Sequence, residues 1–519
     1  ASSMYVVNRF EQTNGVSGRN AIDYQYEGAL FNNKGRGFRG FLSINEINEA
    51  NQSLEVHTEF LQKFPYSSLI YRQTVRKNDG TIIQLMENDW RPNSAHQNAW
   101  SGDGVFHVYN SDERTTKCNL TNTGCSFDGQ NISTIQKSIP ASGIDAYGNK
   151  TNVTIVHRDA YGQLITEATS VFEPSELHPH KITSVTTTKS NTPEGISTIS
   201  SVGDANSTKT TTTYFESYDA THRLPSVVTV ATGATTVAKS SCIQSTDCRA
   251  ATTVFNDYGL PLSTTVSGST ITGISDTLVS DDRATSYQYS DVGNAASSDG
   301  YFPYKVTKTV NGVEHSVISH TDPKTGLATK SINVAGVATT TTYDALARPT
   351  SVTTDGQPTQ YLYYVNADSS DTNLANMKAI ISQAGSPVKV ETRDVMGRVI
   401  RTSVEGFDGT PILQDIVFDK LGRVISETSP YTDVAYKNQY KNYDVLGRVG
   451  QKITAQTNGT LTTTYTYDGL TTAINVTPTF GAEINLSRTF NSLNQLIRTV
   501  DANNNSTSYA YDGNGNPIV

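Results

Sequence analysis

The chain has 519 residues, 36% of them hydrophobic, with a formal net charge of −9 and a sequence pI near 5.5. An acidic balance argues against nucleic acid as a main partner, because phosphate binding needs a basic surface. No run of five like charges occurs, and no apolar stretch approaches the roughly 20 residues of a membrane helix. Even with Gly counted, apolar residues reach only about 43%, which is a thin core for this length and suits sheets with much surface on both faces.

Along the chain, Ala1-Ser2-Ser3-Met4 has neither the basic region nor the apolar core of a signal peptide. The last motif, Tyr511-Asp512-Gly513-Asn514-Gly515-Asn516-Pro517, lacks its following strand, so both ends are expected to be cut. Asp23-Tyr24-Gln25-Tyr26 alternates with strand period, as do Thr285-Ser286-Tyr287-Gln288-Tyr289, the run Thr462 to Tyr467, and Ser508-Tyr509-Ala510-Tyr511. Thr, Val and Tyr are strand formers.

Four cysteines fall in two local pairs, Cys118/Cys125 and Cys242/Cys248, around polar, turn-like intervals. Two disulfides closing loop tips would suit an exported protein. Free thiols are the alternative, and zinc is a weaker one because neither spacing is CxxC and no His lies close.

One pattern recurs: an aromatic, Asp or Asn, two variable residues, Gly, Arg and an apolar residue. The clearest copies run from Phe418-Asp419 through Gly422-Arg423 and from Tyr443-Asp444 through Gly447-Arg448. Asp394, Gly397 and Arg398 keep all but the aromatic. Looser copies start at Tyr218-Asp219 (with His222 in the Gly place), Phe255-Asn256 and Tyr343-Asp344, and Tyr467-Asp468, Phe490-Asn491 and Tyr511-Asp512 continue the series. Near the C-terminal end the motifs recur every 21 to 25 residues, one supersecondary unit per repeat.

The motif has a turn mechanism. Asp or Asn can bond the backbone two residues on, and Gly three residues after it takes a left-handed conformation freely. Together they describe a type I turn closed by a Gly bulge. Second turns are expected at Asn311-Gly312, Asp355-Gly356, Asp408-Gly409 and Asn458-Gly459. The fold class is therefore all-β, built from successive hairpins. Stretches with helical spacing are scarce, and the best candidate for a short helical turn is Asn373 to Ser382. Residues repeated at element boundaries read as architecture rather than catalysis, and the Arg could stack on a neighbouring repeat's Tyr or pair with its Asp.

No HExxH, GxSxG, Walker loop or strand-linked GxGxxG occurs. His178-Pro179-His180 lacks a third ligand, and Asp281-Asp282 reads as a loop. Asp501-x-Asn503-x-Asn505 and Asp512-x-Asn514-x-Asn516 echo calcium-loop spacing without the later Glu, so Asx turns explain them better. Asn-x-Ser/Thr triplets, at Asn119 and Asn149 among others, arise by chance in so Asn- and Thr-rich a chain. No catalytic, cofactor or metal site is assigned.

These residues resemble the YD repeat of bacterial Rhs proteins, of teneurins, and of the B and C components of Tc (toxin complex) insecticidal toxins. The likeness covers residues 140–519. Residues 1–139 resemble the middle region of Tc B components through Tyr24 to Phe41, Thr58 to Pro65, Asn78-Asp79-Gly80-Thr81 and Asn88-Asp89-Trp90. The resemblance implies a β-sheet spiralling into a hollow shell that encloses a toxic polypeptide, with other toxin-complex components as partners and a secreted or cell-surface bacterial location. A self-cleaving core would lie downstream. Such a shell is expected to pack aromatic and aliphatic residues along the seams between turns of the spiral. A wall-associated or cell-surface YD scaffold without cargo is the alternative.

Overall fold

The computed structural model describes residues 5–16, 18–33, 37–51, 53–93, 107–120, 125–127, 132–173, 180–193, 208–232, 248–272, 277–280, 282–289, 301–310, 312–368 and 374–517. Among them the regular structure is 38 strands, one three-residue 3-10 turn at Ala141–Gly143 and no α-helix. The Thr-, Val- and Tyr-rich segments supply side chains that fit a pleated surface, and Asx and Gly residues end them.

Two compact units form. The first comprises Ala1–Ser170, Thr187–Lys209 and Gln414–Val519, the second Val171–Thr186 and Thr210–Leu413. The first unit holds two rows of antiparallel strands, each strand paired with its chain neighbours. The earlier row runs from Arg9–Thr13 to Gly162–Phe172. It passes unbroken through residues 139 and 140, because Ser133–Ser138 pairs with Val108–Lys117 on one side and Asn152–Asp159 on the other. The later row runs from Pro411–Phe418 to Ser506–Ser508. In the second unit a single row runs from Lys209–Tyr218 to Val399–Glu405. Successive strands run antiparallel, so in the later row the turns at Asp419 and Asp444, two connections apart, share one edge.

The core is thin, as the composition predicts. The largest fully buried side chains are Asn93, Thr116, Thr212 and Thr229, none of them apolar. Apolar packing is local: Ala231, Cys248 and Ala250 form one cluster, and Tyr109, Ile139 and Ile144 with Val153 another. Between these clusters, hydroxyls satisfy one another across the ladders. Thr116 meets Thr134 at 3.1 Å, Thr307 meets Ser316 at 2.9 Å and Thr339 meets Thr354 at 3.1 Å. Such pairs contribute a few tenths of a kcal/mol each, up to about 1 kcal/mol.

The candidate helical turn at 373–382 is a correction. Asn373 lies outside the described residues, and Met377–Gln383 is a strand hydrogen-bonded to Gln360–Asn366 on one side and Lys389–Arg393 on the other. Pairing on both sides outweighs a local preference that ten residues express only weakly.

In the motif from Asp419, the Gly422 amide donates to the Asp419 carbonyl at 3.0 Å and the Asp419 amide to the Arg423 carbonyl at 2.8 Å. The register shifts between Val417 and Phe418, as a Gly bulge requires. Gly422 has φ +82°, and Asn494 holds the equivalent place in the motif from Asn491 with φ +62°. Gly422→Val should therefore lower stability by about 1–2 kcal/mol, the cost of a left-handed L-residue, whereas Gly422→Asn should cost clearly less. Denaturant midpoints of the two variants, measured side by side, check this ordering.

Candidate functional site

The repeated residues form a clamp. Asp344, Asp394, Asp419 and Asp444 each accept, on Oδ1, the amide two residues on and that of the following Arg, at 2.9–3.0 Å. Each Oδ2 takes Nε of Arg348, Arg398, Arg423 or Arg448 at 2.7–2.8 Å. In the first three a second guanidinium nitrogen also reaches it, at 2.6–2.7 Å. Asp394 can be only 2% exposed because every lone pair it buries is met.

The Arg then holds the next repeat. Its guanidinium lies 4.2 Å from the ring centre of Tyr364 for Arg348, 4.5 Å from Tyr443 for Arg423 and 4.1 Å from Tyr467 for Arg448. The same tyrosines donate their hydroxyls to the carbonyl just after that Arg: Tyr364 to Pro349 at 3.1 Å, Tyr443 to Val424 at 2.5 Å and Tyr467 to Val449 at 2.9 Å. The Tyr-to-carbonyl bond recurs where no Arg is present, from Tyr289 to Pro261 and from Tyr511 to Leu496. The Arg thus stacks on the next repeat's Tyr, while the Asp it pairs with is its own repeat's rather than the neighbour's.

Some copies depart from the pattern. After Tyr218-Asp219 the loop is one residue longer: the left-handed residue is Arg223, with φ +58°, and the Asp219 carboxylate pairs with His222 Nδ1 at 3.0 Å. After Tyr467, Asp468 pairs directly with Thr471 across a two-residue hairpin, so no Asp-x-x-Gly turn forms there. Asn256, next to Phe255, accepts the Tyr258 and Leu260 amides but has no Arg to bind. Tyr343 donates to the Ala328 carbonyl at 2.9 Å, and Phe418 pairs with Val424 at its bulge. The Gly places of the regular copies, Gly397 and Gly447, have φ +76° and +79°. The calcium-like spacings are Asx turns. Asp501 Oδ1 accepts the Asn503 and Asn505 amides and its Oδ2 the Asn505 side chain, and Asp512 does the same with Asn514 and Asn516.

Cys118 and Cys125 are disulfide-bonded, with Cα atoms 5.6 Å apart. Cys248 is also disulfide-bonded and 3% exposed, and Cys242 lies outside the described residues. His178 and Asp281 lie outside them too. Among the described residues no group of three or more His, Cys, Asp or Glu could hold a metal ion.

Sequence reasoning missed how the two rows of the first unit meet. Turns of the later row and the segment after it meet, in chain order, residues of the earlier row and of strand Ile182–Pro193 through polar bonds. Asn20 donates to the Lys420 carbonyl at 2.7 Å, Asn51 to the Val445 carbonyl at 3.1 Å and Asn119 to the Asp468 carboxylate at 2.6 Å. The Ser492 amide donates to Asp159 at 2.7 Å and Asn191 to the Tyr511 carbonyl at 2.8 Å. Four of the five use an Asn side chain, a residue common along the whole chain, so no local signal marks them.

Electrostatics follow the geometry. Hydrogen bonding from Arg348 holds the Asp344 carboxyl below the usual range. Burial raises the Tyr443 and Tyr467 hydroxyls against the opposing pull of Arg423 and Arg448. Burial, helped by a hydrogen bond to Glu427, pushes Tyr440 up to about 12.

Two outcomes are expected. Arg423→Met removes the ion pair and the stacking on Tyr443, and should lower the local opening free energy of strand Val424–Thr428 by about 1–2 kcal/mol. Arg498→Met, at an arginine with no described partner, should leave its own strand unchanged; amide hydrogen exchange reads both. The raised tyrosines set an alkaline limit. A proton held more tightly in the folded state stabilises it fully below the unfolded tyrosine pKa of about 10. That contribution disappears as pH rises through the folded values, up to about 12 for Tyr440. Unfolding midpoints should hold to about pH 10 and then fall in step with tyrosinate absorbance.

The RHS Repeat family model matches residues 490–519. No curated protein matches the chain in sequence. Among solved structures, TcdB2-TccC3-Cdc42 superposes with a TM-score of 0.63 at 10% identity, over 97% of this chain and 36% of that one. TcdB2-TccC3-TEV gives 0.60 at 10% identity, over 98% and 36%. The chain thus spans little more than a third of the length of the structures it matches, and at this identity the likeness is one of fold. Repeats, clamp and superposition agree on the fold: residues 490–519 match the RHS Repeat model, and the chain as a whole has an all-β fold similar to that of the TcdB2-TccC3 structures.

Proposed function

We propose that this chain is wall rather than machine: a segment of a toxin-complex shell that shields a toxic polypeptide carried by the same protein or by a partner. The carrying observation is the superposition on TcdB2-TccC3-Cdc42 over 97% of the chain. The strand chemistry supports it. In Gln360–Asn366 half-buried and exposed residues alternate from Gln360 to Val365, as in a sheet wetted on at least one face. A clamp in which every polar group is already bonded has nothing left to offer a substrate, which supports a structural, non-enzymatic role. In this reading residues 1–139 correspond to the middle region of Tc B components and 140–519 to the YD shell. The partners are the enclosed polypeptide and the other toxin-complex components, and the protein acts outside the producing cell.

The test is to express the full-length gene and locate its C-terminal region by limited proteolysis and electron microscopy. A protease-resistant region inside the repeats is the expected result. If that region is folded outside the repeats and digested at once, the encapsulating role is overturned.

A further inference from the structure

The first unit contains a cavity of about 640 Å³ at the meeting of its two rows, between the Asp159 hairpin and the strands from Thr471 to Tyr511. Its volume is that of a small-molecule site, and the repeat architecture does not account for its chemistry. Besides three tyrosines, an aspartate, an arginine and a histidine line it, and these three are in different states. Asp159 is engaged: its carboxylate accepts the Tyr161 amide at 2.7 Å and the Ser492 amide at 2.7 Å. Arg498 has no ion pair or hydrogen bond among the described residues, although the motif arginines Arg348, Arg423 and Arg448 are all paired. His157 Nδ1 is buried without a hydrogen-bond partner, and burial lowers the ring's pKa so that it is neutral near pH 7.

An exposed, unpaired guanidinium at the edge of a partly enclosed site is a matched receptor for a carboxylate, which it can hold through two parallel N–H bonds. Around it the wall is hydroxyl-rich. Thr489 and Ser508 are the cross-strand neighbours of Arg498, so they share its face of the sheet, as do Ser487 and Ser506 one pair further along. A neutral imidazole can donate to or accept from a hydroxyl as its tautomer requires. A fixed cation beside a run of small hydroxyls and an imidazole suits a compact ligand bearing one carboxylate and several hydroxyls.

We propose that this cavity binds an acidic saccharide, with Arg498 holding the carboxylate and His157 and the Ser/Thr face holding the ring hydroxyls. The same chemistry could be presented by a free sugar acid or by an acidic residue within a glycan chain. This inference is independent of the shell reading, since it concerns only the first unit's own residues.

The test is calorimetric titration of the purified chain with galacturonate, trigalacturonate, the neutral galactose trisaccharide and inorganic phosphate. We expect a uronate to bind and the neutral sugar to bind at least about tenfold more weakly, the loss of one charge-assisted contact. Tighter binding of the trisaccharide than of the single sugar would assign the ligand to a glycan chain, and equal binding to a free sugar acid. Arg498→Gln should abolish the preference for the acidic sugar. Because Arg498 bonds to nothing in the protein, this change should leave the circular dichroism spectrum and melting temperature intact. His157→Phe should weaken both sugars without removing the preference. The proposal is overturned by absence of uronate binding at millimolar concentration, by equal binding of acidic and neutral sugars, by phosphate binding as well as the uronates, or by unchanged affinity in Arg498→Gln.

Discussion

The clamp between consecutive repeats is the interaction on which the rest depends. A long antiparallel row with little apolar core needs something besides hydrophobic burial to hold successive hairpins at one angle. The Asp of each motif organises its own turn through two backbone amides and fixes the Arg through its other oxygen. The fixed Arg supports the ring of the next Tyr, whose hydroxyl returns to the main chain beside that Arg. Each contact is modest, of the order of 1 kcal/mol. They share atoms, however, so a guanidinium already immobilised by its carboxylate loses little further entropy in stacking. Repetition makes a nearest-neighbour architecture in which stability accumulates along the row.

The seam in the first unit uses a different principle. The hydrogen bonds there join asparagine amides, backbone groups and the carboxylates of Asp159 and Asp468. The turns that dock there present main-chain carbonyls at their tips, and a loop asparagine can satisfy such a carbonyl without a complementary surface around it. The effect on burial is visible at one motif position. Val445, beneath the Asn51 contact, is 8% exposed, while Val395 in the same place of a motif in the second unit is 55% exposed.

Local chemistry was legible wherever one repeat contains it. The Asp-x-x-Gly turns, their bulges, the strand alternation and the absence of α-helix among the described residues all follow from residues within about ten positions of one another. The sequence reading failed where alternatives are locally equivalent. Tyr218-Asp219 keeps the motif's opening but carries one more residue before its left-handed turn, and nothing in the composition of Ala-Thr-His-Arg marks that insertion. Asp468 was counted with its neighbours because of its spacing, yet the Gly directly after it makes a tighter hairpin. Residues 374–382 could satisfy helical spacing in isolation and became a strand because two flanking strands supplied backbone partners.

By itself the sequence determined the unit of construction: the period, the hairpin geometry, and a Tyr, Asp and Arg set with the right donors and acceptors to form a clamp. These are short-range properties, settled by backbone sterics and by hydrogen bonds between residues a few positions apart. Only the tertiary structure decided that Arg stacks forward onto the next repeat's Tyr while pairing with its own Asp. Only it decided which asparagines, out of many, meet turns 320 to 400 residues away. It also left Arg498 and His157 unpartnered around a cavity. Such pairings depend on how far the rows twist and where one comes to rest against another, a sum of small rotations over many strands that no local pattern encodes.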